Sequence, residues 1–238
     1  MNPPPGGASA PLDERLRELT ETMATMAELS ELAIRKATRS FERCDPTEAD
    51  EVLALDPELY ALRTRSLALG VELLARYAPV AGDLRRITAS LEISTDLDRI
   101  GRYAKDIAEV TKQLPRESVG ELGRMADLGK MVELTVEMVD TAIRAFVQGQ
   151  SEPVRRMEEV DDAVDALHDA VFRGMVDGMA DRSVAVATGA LSILVNRYLE
   201  RIADHAVSIG NHVVYMVTGS RPARLPLRRR RSPPPSPG

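Results

Sequence analysis

The sequence predicts an all-α protein built from two tandem, pseudo-symmetric three-helix bundles. Its 238 residues contain no Trp and only 3% aromatic residues, so the large aromatic side chains that are enriched in β-strands are scarce. Between the two ends of the chain, apolar residues recur at helical spacing along six long segments. The third and sixth segments share one pattern of apolar residues, which indicates an internal repeat.

The two ends of the chain differ in composition from the rest. Residues 1–9 and 220–238 are rich in Pro, Gly, Ser and Arg and lack apolar periodicity, so we expect disordered tails there. The formal net charge of −6 includes the arginines after residue 220. The body is therefore more acidic than the total suggests, which is unlike a nucleic-acid binder.

The remaining composition favours a cytoplasmic protein. A single cysteine, Cys44, excludes an internal disulfide and fits a reducing compartment. The N-terminal residues have neither a basic region nor an apolar core, so we expect no signal peptide. No apolar run approaches the twenty residues of a transmembrane helix. Contact with the inner face of the membrane through a membrane protein remains compatible with this composition.

The first bundle is expected over residues 10–115. Its first helix ends at Cys44-Asp45-Pro46, because proline does not continue a helix. The second helix is predicted from Thr47 to Tyr77 with a local kink at Pro57, and the third from Ala81 to Lys112. One apolar stripe at spacings of four and three residues defines the first helix: Leu12, Leu16, Leu19, Met23, Met26, Ser30, Ala33 and Ala37.

The second bundle is expected over residues 116–219. Its three helices are predicted from Val119 to Val147, from Pro153 to Asp181 and from Ser183 to Thr218, where Gly219 ends the last one. Helices of about thirty residues are roughly 45 Å long at 1.5 Å per residue, a length typical of bundles.

The third and sixth helices match in register. Residue 101 is Gly and its counterpart 203 is Ala, so both positions allow a close approach of neighbouring helices. The second and fifth helices match at a different offset, 105 residues. At a constant offset of 102, five apolar pairs coincide: Ile93 and Val195, Leu97 and Leu199, Ile100 and Ile202, Ala104 and Ala206, Ile107 and Ile209.

Paired carboxylates form the candidate binding site of the second bundle. Glu200 and Asp204 lie one helical turn apart, where like charges repel. Asp161 and Asp165 form a second such pair on the preceding helix, and antiparallel packing of the two helices could bring the pairs face to face. Four converging carboxylates suit a hard or borderline cation such as Fe, Mn, Mg or Ca.

An ordinary charged surface is the alternative interpretation. Arg197 and Arg201 lie beside Glu200 in the sequence, and acidic runs on helices are commonly solvated faces. The three histidines add little to the metal hypothesis. His205 directly follows Asp204 and points about 100° away from it on a helix, and His168 and His212 are better explained as partly buried polar or surface residues.

The first bundle departs from this pattern. Asp98 takes the place of Glu200, but Arg102 stands opposite Asp204, so the two residues form an attractive pair four residues apart. Asp98 is therefore the weaker metal candidate, and a site there would need another carboxylate such as Asp96 or Asp106. We expect metal preferentially in the second repeat.

Two stretches of the sequence resemble the signatures of the PhoU family. The first is YAPVAGDLRRITASLEISTDLDRIGRYAKDIAE, with a Pro-x-Ala-x-Asp-Leu-Arg turn from Pro79 to Arg85 and an acidic Arg-Ile-Gly motif from Asp98 to Gly101. The second is NRYLERIADHAVSIGNHVVYMVTG. The similarity covers about residues 11–219, including the duplicated three-helix plan.

The resemblance implies a cytoplasmic, non-enzymatic regulator of phosphate homeostasis. It implies two partners, a phosphate-sensing histidine kinase and the cytoplasmic face of the phosphate ABC transporter, and a negative regulatory role. We also expect a homodimer and no nucleic-acid partner. PhoU proteins bind iron or other metals, such as Mn, Zn or Mg, on a Glu/Asp-x-x-x-Asp motif in each repeat. That motif is intact at Glu200 and Asp204 and broken at Asp98 and Arg102.

Two other functions and two roles for the tail remain open at this stage. A carboxylate-bridged di-metal enzyme is disfavoured because no Glu-x-x-His motif occurs. A metal-free dimerisation bundle is the third possibility. The basic, Pro-rich tail lies outside the family pattern, and we interpret it as a solubilising extension, with docking on acidic lipid or on a partner as the alternative.

Overall fold

The computed structural model describes residues 10–122 and 126–220. Apart from Ser220, the two predicted tails lie outside these residues. The described part is helical throughout, with short 3-10 turns at Arg116–Ser118 and Pro153–Arg156. Its α-helices are α1 (Ala10–Arg43), α2 (Pro46–Leu53), α3 (Asp56–Tyr77), α4 (Ala81–Thr111), α5 (Val119–Leu122), α6 (Ala126–Gln148), α7 (Met157–Ala180) and α8 (Val186–Thr218).

Two three-helix repeats build the protein, as the sequence predicts. Helices α1, α3 and α4 pack on one another in the first repeat, with α2 lying against α1 and α4, and α6, α7 and α8 pack together in the second. Helix α4 packs along α8, and α1 packs against α6, so one continuous apolar core joins the repeats. The architecture is therefore all-α, and its two central helices are those that carry the repeated pattern.

The repeated apolar positions are core positions in both halves. All ten residues paired at the offset of 102 are at most 1% exposed. Gly101 also shows the predicted close approach, because a Cβ atom placed on it would lie 2.6 Å from Cδ1 of Leu59 on α3. The register that identifies the repeat in the sequence is thus the register in which α4 and α8 enter the core.

The predicted second helix is two helices, and the expected kink at Pro57 is a break. Asp45 caps α2 by accepting hydrogen bonds from the backbone N–H groups of Thr47 and Glu48. The new helix α3 begins at Asp56 with Pro57 in its first turn. Proline has no N–H to donate and is well accommodated there, so the chain ends one helix and starts another.

Three other helix boundaries differ from the prediction. The fourth predicted helix consists of α5 and α6, which flank residues 123–125 outside the described part. The fifth begins as a 3-10 turn, in which the N–H of Arg155 donates to the carbonyl of Glu152. The sixth begins at Val186 rather than Ser183, because Asp181 Oδ1 accepts a hydrogen bond from Ser183 N and holds it in a turn.

The end of α8 agrees with the sequence. Gly219 has a φ of 75°, and its N–H donates to the carbonyl of Tyr215, the left-handed termination that glycine favours. Among the described residues, no helix combines the length and the hydropathy that crossing a bilayer requires.

Candidate functional site

Arginines neutralise the paired carboxylates of the second repeat. Glu200 is only 4% exposed, and its Oε2 lies 2.5 Å from Nη1 of Arg197 and 3.9 Å from Nε of Arg201. The guanidinium of Arg201 also lies 3.2 Å from Oδ2 of Asp204, which is largely exposed. Arg201 therefore sits between the two carboxylates and offsets the repulsion that their spacing implies.

The second predicted carboxylate pair lies on α7, which packs against the helix that carries Glu200 and Asp204. Asp161 and Asp165 are half-buried on α7, and α7 packs on α8. Asn196 Nδ2 on α8 donates to the carbonyl of His168 on α7 at 3.0 Å and fixes the register of the two helices. The two predicted carboxylate pairs thus lie on helices that pack together.

A metal ion has no ready set of ligands in this arrangement. In the parts of the chain that the structure describes, no three His, Cys, Asp or Glu side chains are placed to share a metal ion. Arginines also contact Oε2 of Glu200 and Oδ2 of Asp204, so the residues as placed do not fit a metal centre. Metal binding by the four carboxylates stays a prediction that requires the arginines to move.

The equivalent surface of the first repeat is an ion-paired cleft of about 630 Å³ between α3 and α4. Asp98 is 8% exposed, and its Oδ2 lies 3.2 Å from Nε of Arg102, the pair that the sequence predicts. Arg63 adds a second cation at 3.7 Å. Lys105 Nζ donates to Asp56 Oδ2 at 2.8 Å. Asp98 and Asp56 are therefore neutralised by side chains of their own repeat.

Another acidic residue of that cleft, Asp106, has no ion pair among the described residues. Asp106 is half-buried, and this burial, reinforced by nearby Glu109, raises the pKa of its carboxyl despite the opposing charges of Lys105 and Arg102. The alternative ligand that the sequence suggested for this repeat, Asp106, thus lies in the same cleft as Asp98.

The sequence did not reveal the polar contact between the repeats. Asp96 on α4 is 8% exposed and faces α8, where Nδ1 of His205 lies 2.9 Å from its Oδ1 and Nε2 of His212 lies 3.6 Å from its Oδ2. Ser208 lies 3.5 Å from the same Nε2 of His212. Two of the histidines are thus placed as partners of a buried carboxylate in the other repeat.

An aromatic contact takes the symmetry-related place. The rings of Tyr103 and Tyr198 stack with their centroids 5.9 Å apart. At the repeat offset of 102, Tyr198 corresponds to Asp96 and Tyr103 corresponds to His205, so the two tyrosines are the counterpart of the Asp96–His205 pair. Burial, with smaller effects of nearby acidic residues, raises the pKa of Tyr198. The repeat offset, combined with antiparallel packing of α4 on α8, would have predicted both the Asp96–His205 contact and the Tyr103–Tyr198 contact.

Each repeat also exposes an apolar stripe on its outer helix. Leu67 and Val71 on α3 are more than half exposed. Phe172 and Val176 on α7 are also exposed, at 46% and 42%, and correspond to them at the offset of 105. The two helices differ in net charge, because α7 carries seven acidic residues and one arginine whereas α3 carries three acidic residues and three arginines.

Comparison with known proteins gives matches over both repeats. The PhoU domain family model matches residues 23–111 and 128–213. The phosphate-specific transport system accessory protein PhoU homolog 2 of Mycobacterium tuberculosis is 32% identical over 212 residues, which cover 88% of this chain and 97% of that protein.

Crystal structures show the same fold. The structure of PhoU from Pseudomonas aeruginosa has a TM-score of 0.80 at 26% identity, covering 87% of this chain and 99% of that one. The phosphate transport system regulatory protein PhoU from Streptococcus pneumoniae has a TM-score of 0.81 at 23% identity, covering 89% and 99%. Because the family model matches most of the chain, once in each helical repeat, the protein belongs to the PhoU family.

Proposed function

We propose that this protein is a non-enzymatic accessory regulator of a phosphate transport system. The observation that carries the proposal is its similarity, along nearly the whole length of both chains, to a mycobacterial protein named as an accessory protein of phosphate-specific transport. The match in each repeat supports a conserved two-repeat scaffold rather than one borrowed segment. The activity proposed is binding, and chemistry on phosphate belongs to the partners.

The finer proposal concerns the partners. In the cytoplasm, the chain couples the phosphate ABC transporter to a phosphate-sensing histidine kinase and keeps the kinase's response low when phosphate is ample. The exposed stripe of Phe172 and Val176 on α7 supports a docking role, because exposed apolar side chains on a strongly charged helix are typical of interaction surfaces. A homodimer is compatible with the same stripes, which occur once in each repeat.

Metal binding is the third part of the proposal. We place it in the second repeat, on Glu200 and Asp204 with Asp161 and Asp165, and iron or another divalent metal such as Mn, Zn or Mg is the candidate ion. These carboxylates would hold the ion, which would supply the countercharge that Arg201 provides to Glu200 and Asp204 in the structure. Asp98 is the weaker position, because Arg102 and Arg63 already neutralise it.

A genetic experiment tests the regulatory role. Deleting the gene is expected to switch on a phosphate-starvation reporter in phosphate-rich medium, and restoring the wild-type gene is expected to silence it. A reporter that stays repressed in the deletion strain contradicts the proposed negative role.

Complementation with point variants tests the docking surface. Phe172→Glu is expected to fail to restore repression. The matched control is Leu32→Glu on α1, which has a similar exposed fraction, 42% against 46%, and is expected to restore it. Both variants must accumulate to wild-type levels, and equal activity of the two contradicts a role for the stripe.

Elemental analysis of the purified protein tests the metal. The variant Glu200→Ala with Asp204→Ala is expected to lose the metal found in the wild type. Asp162→Ala with Asp169→Ala, which removes two exposed carboxylates of α7, is the matched control and is expected to retain it. Unchanged metal content in the first variant removes Glu200 and Asp204 from the ligand set.

A further inference from the structure

A cleft of about 590 Å³ opens at the turn between α6 and α7. Its floor is apolar, formed in part by Met138 and Met157, which are 1% and 4% exposed, and by the half-buried Val160. A floor of this kind favours aliphatic side chains of an occupant.

The rim of this cleft is acidic. Glu137 on α6 and Glu159 on α7 are both exposed and have no ion pair among the described residues, whereas Glu152 already pairs with Arg155. One arginine, Arg156, also lines the cleft. Two unpaired carboxylates beside an apolar floor favour an occupant that combines aliphatic and cationic side chains.

Two other clefts in the described part of the chain lack this combination. The cleft of the first repeat is lined by Arg99, Arg102 and Lys105. The cleft between α1 and α6 measures about 240 Å³, and two of its acidic residues, Glu31 and Asp140, are already paired with arginines of their own helices. The α6–α7 cleft therefore suits a cationic chain better than either of these two.

The chain itself carries such a segment close by. Residues 221–231, outside the described part, read RPARLPLRRRR and hold six arginines together with Leu225 and Leu227. In an extended chain, side chains two positions apart lie on the same face, so the two leucines can contact one surface together. Pro222 and Pro226 restrict the backbone, which lowers the entropy lost when it is held extended.

The end of α8 lies within reach of the cleft. A Cβ atom on Gly210 would lie 3.3 Å from Sδ of Met157, so α8 passes beneath the floor of the cleft. From Gly210 to Gly219 the helix advances roughly 14 Å at 1.5 Å per residue. An extended segment of eleven residues spans about 36 Å, which is enough to turn back and cover the cleft.

We propose that residues 221–231 bind back onto the α6–α7 cleft of their own chain. Leu225 and Leu227 contact the methionine floor, and the arginines pair with Glu137 and Glu159. Binding there places the basic segment against the acidic start of α7. The proposal goes beyond the regulatory role and does not depend on it.

Paramagnetic broadening in the full-length chain tests the position of the tail. A nitroxide on Ser232→Cys is expected to broaden the amide signals of residues lining the cleft. The native Cys44 is buried, and burial raises the pKa of its thiol, so it remains unlabelled. Glu137→Lys with Glu159→Lys is expected to abolish the broadening. The matched control Glu58→Lys with Glu92→Lys, which changes the net charge equally in the first repeat, is expected to preserve it.

Tryptic cleavage gives a second readout. The cleft variant is expected to be cut at residues 228–231 about three- to tenfold faster than the wild type and the control variant, since exposed ion pairs contribute little individually and add up along a tethered segment.

Three outcomes overturn the proposal. The first is broadening that is absent or that is equal in the cleft and control variants. The second is broadening seen only between a spin-labelled chain and a separate isotope-labelled chain, which makes a second copy the occupant. The third is a label that becomes immobilised only with vesicles containing an anionic phospholipid, which makes the lipid surface the binding partner of the tail.

Discussion

Replacing Gly101 by alanine tests the close approach of α3 and α4. The new Cβ atom would lie 2.6 Å from Cδ1 of Leu59, a side chain that is itself only 4% exposed. Carbon atoms in contact prefer about 3.5–4.0 Å, so Leu59 must withdraw by roughly 1 Å inside a packed core.

The expected magnitude follows from two opposing effects. Alanine gains about 0.5–1 kcal/mol over glycine in a helix interior. Overpacking a core costs about 1–3 kcal/mol. We therefore expect Gly101→Ala to change the free energy of unfolding by between roughly zero and 2.5 kcal/mol in the destabilising direction, with the steric effect prevailing.

Gly174→Ala is the matched control, because nothing lies within 4 Å of a Cβ atom at this exposed position of α7. It is expected to stabilise the protein by about 0.5–1 kcal/mol. Urea unfolding at constant m value compares the two variants through their midpoints. If Gly101→Ala is as stabilising as Gly174→Ala, the contact with Leu59 does not limit the packing of α3 on α4.

Three further changes test the charged surfaces. Arg102→Asp recreates the Asp-x-x-x-Asp motif with Asp98. Because it replaces an ion pair by two like charges, it is expected to lower the unfolding temperature in the presence of a chelator and to raise the metal content of the purified protein. Unchanged metal content contradicts a latent site at this position. Asp106→Asn removes a carboxyl whose folded-state pKa is raised. In the wild type, the protonated carboxyl contributes stability below the pKa of the unfolded state, and this contribution is lost as pH rises through the folded-state pKa. Relative to the wild type, the variant should therefore gain stability from about pH 4 to 7, by less than about 1 kcal/mol because the group is partly solvated. A stability difference that stays constant across this range refutes the pKa shift. Asp96→Ala removes the partner of His205 at 2.9 Å and is expected to cost about 1–3 kcal/mol, measured by urea unfolding, whereas a neutral result shows that the contact between the repeats contributes no net stability.

Local rules were sufficient for much of the fold. The register of α4 and α8 could be predicted because five apolar positions repeat at a constant offset and all enter the core. The pair of Asp98 and Arg102 could be predicted because residues four apart on a helix face each other. Both predictions use spacing along one helix and need no knowledge of its neighbours.

Contacts between helices account for most of what the sequence left open. Asp96 and His205 are 109 residues apart, and only the packing of α4 on α8 joins them. The break before α3 is a local feature, because Pro57 has no N–H to donate and lies in the first turn of the new helix. The sequence shows that Arg197 and Arg201 lie close to Glu200 on one helix. The burial of Glu200, which makes its ion pair with Arg197 important, arises from tertiary packing and could not be read from the sequence.

The stacked tyrosines and the Asp96–His205 pair show what joining two related halves in one chain permits. In a symmetric dimer of identical subunits, every contact beside the two-fold axis occurs twice, so a substitution alters both copies at once. Here one of the two equivalent places holds a carboxylate and an imidazole, and the other holds two phenol rings. The covalent link lets each side of the axis mutate alone, and the protein thus behaves as a heterodimer encoded by a single chain.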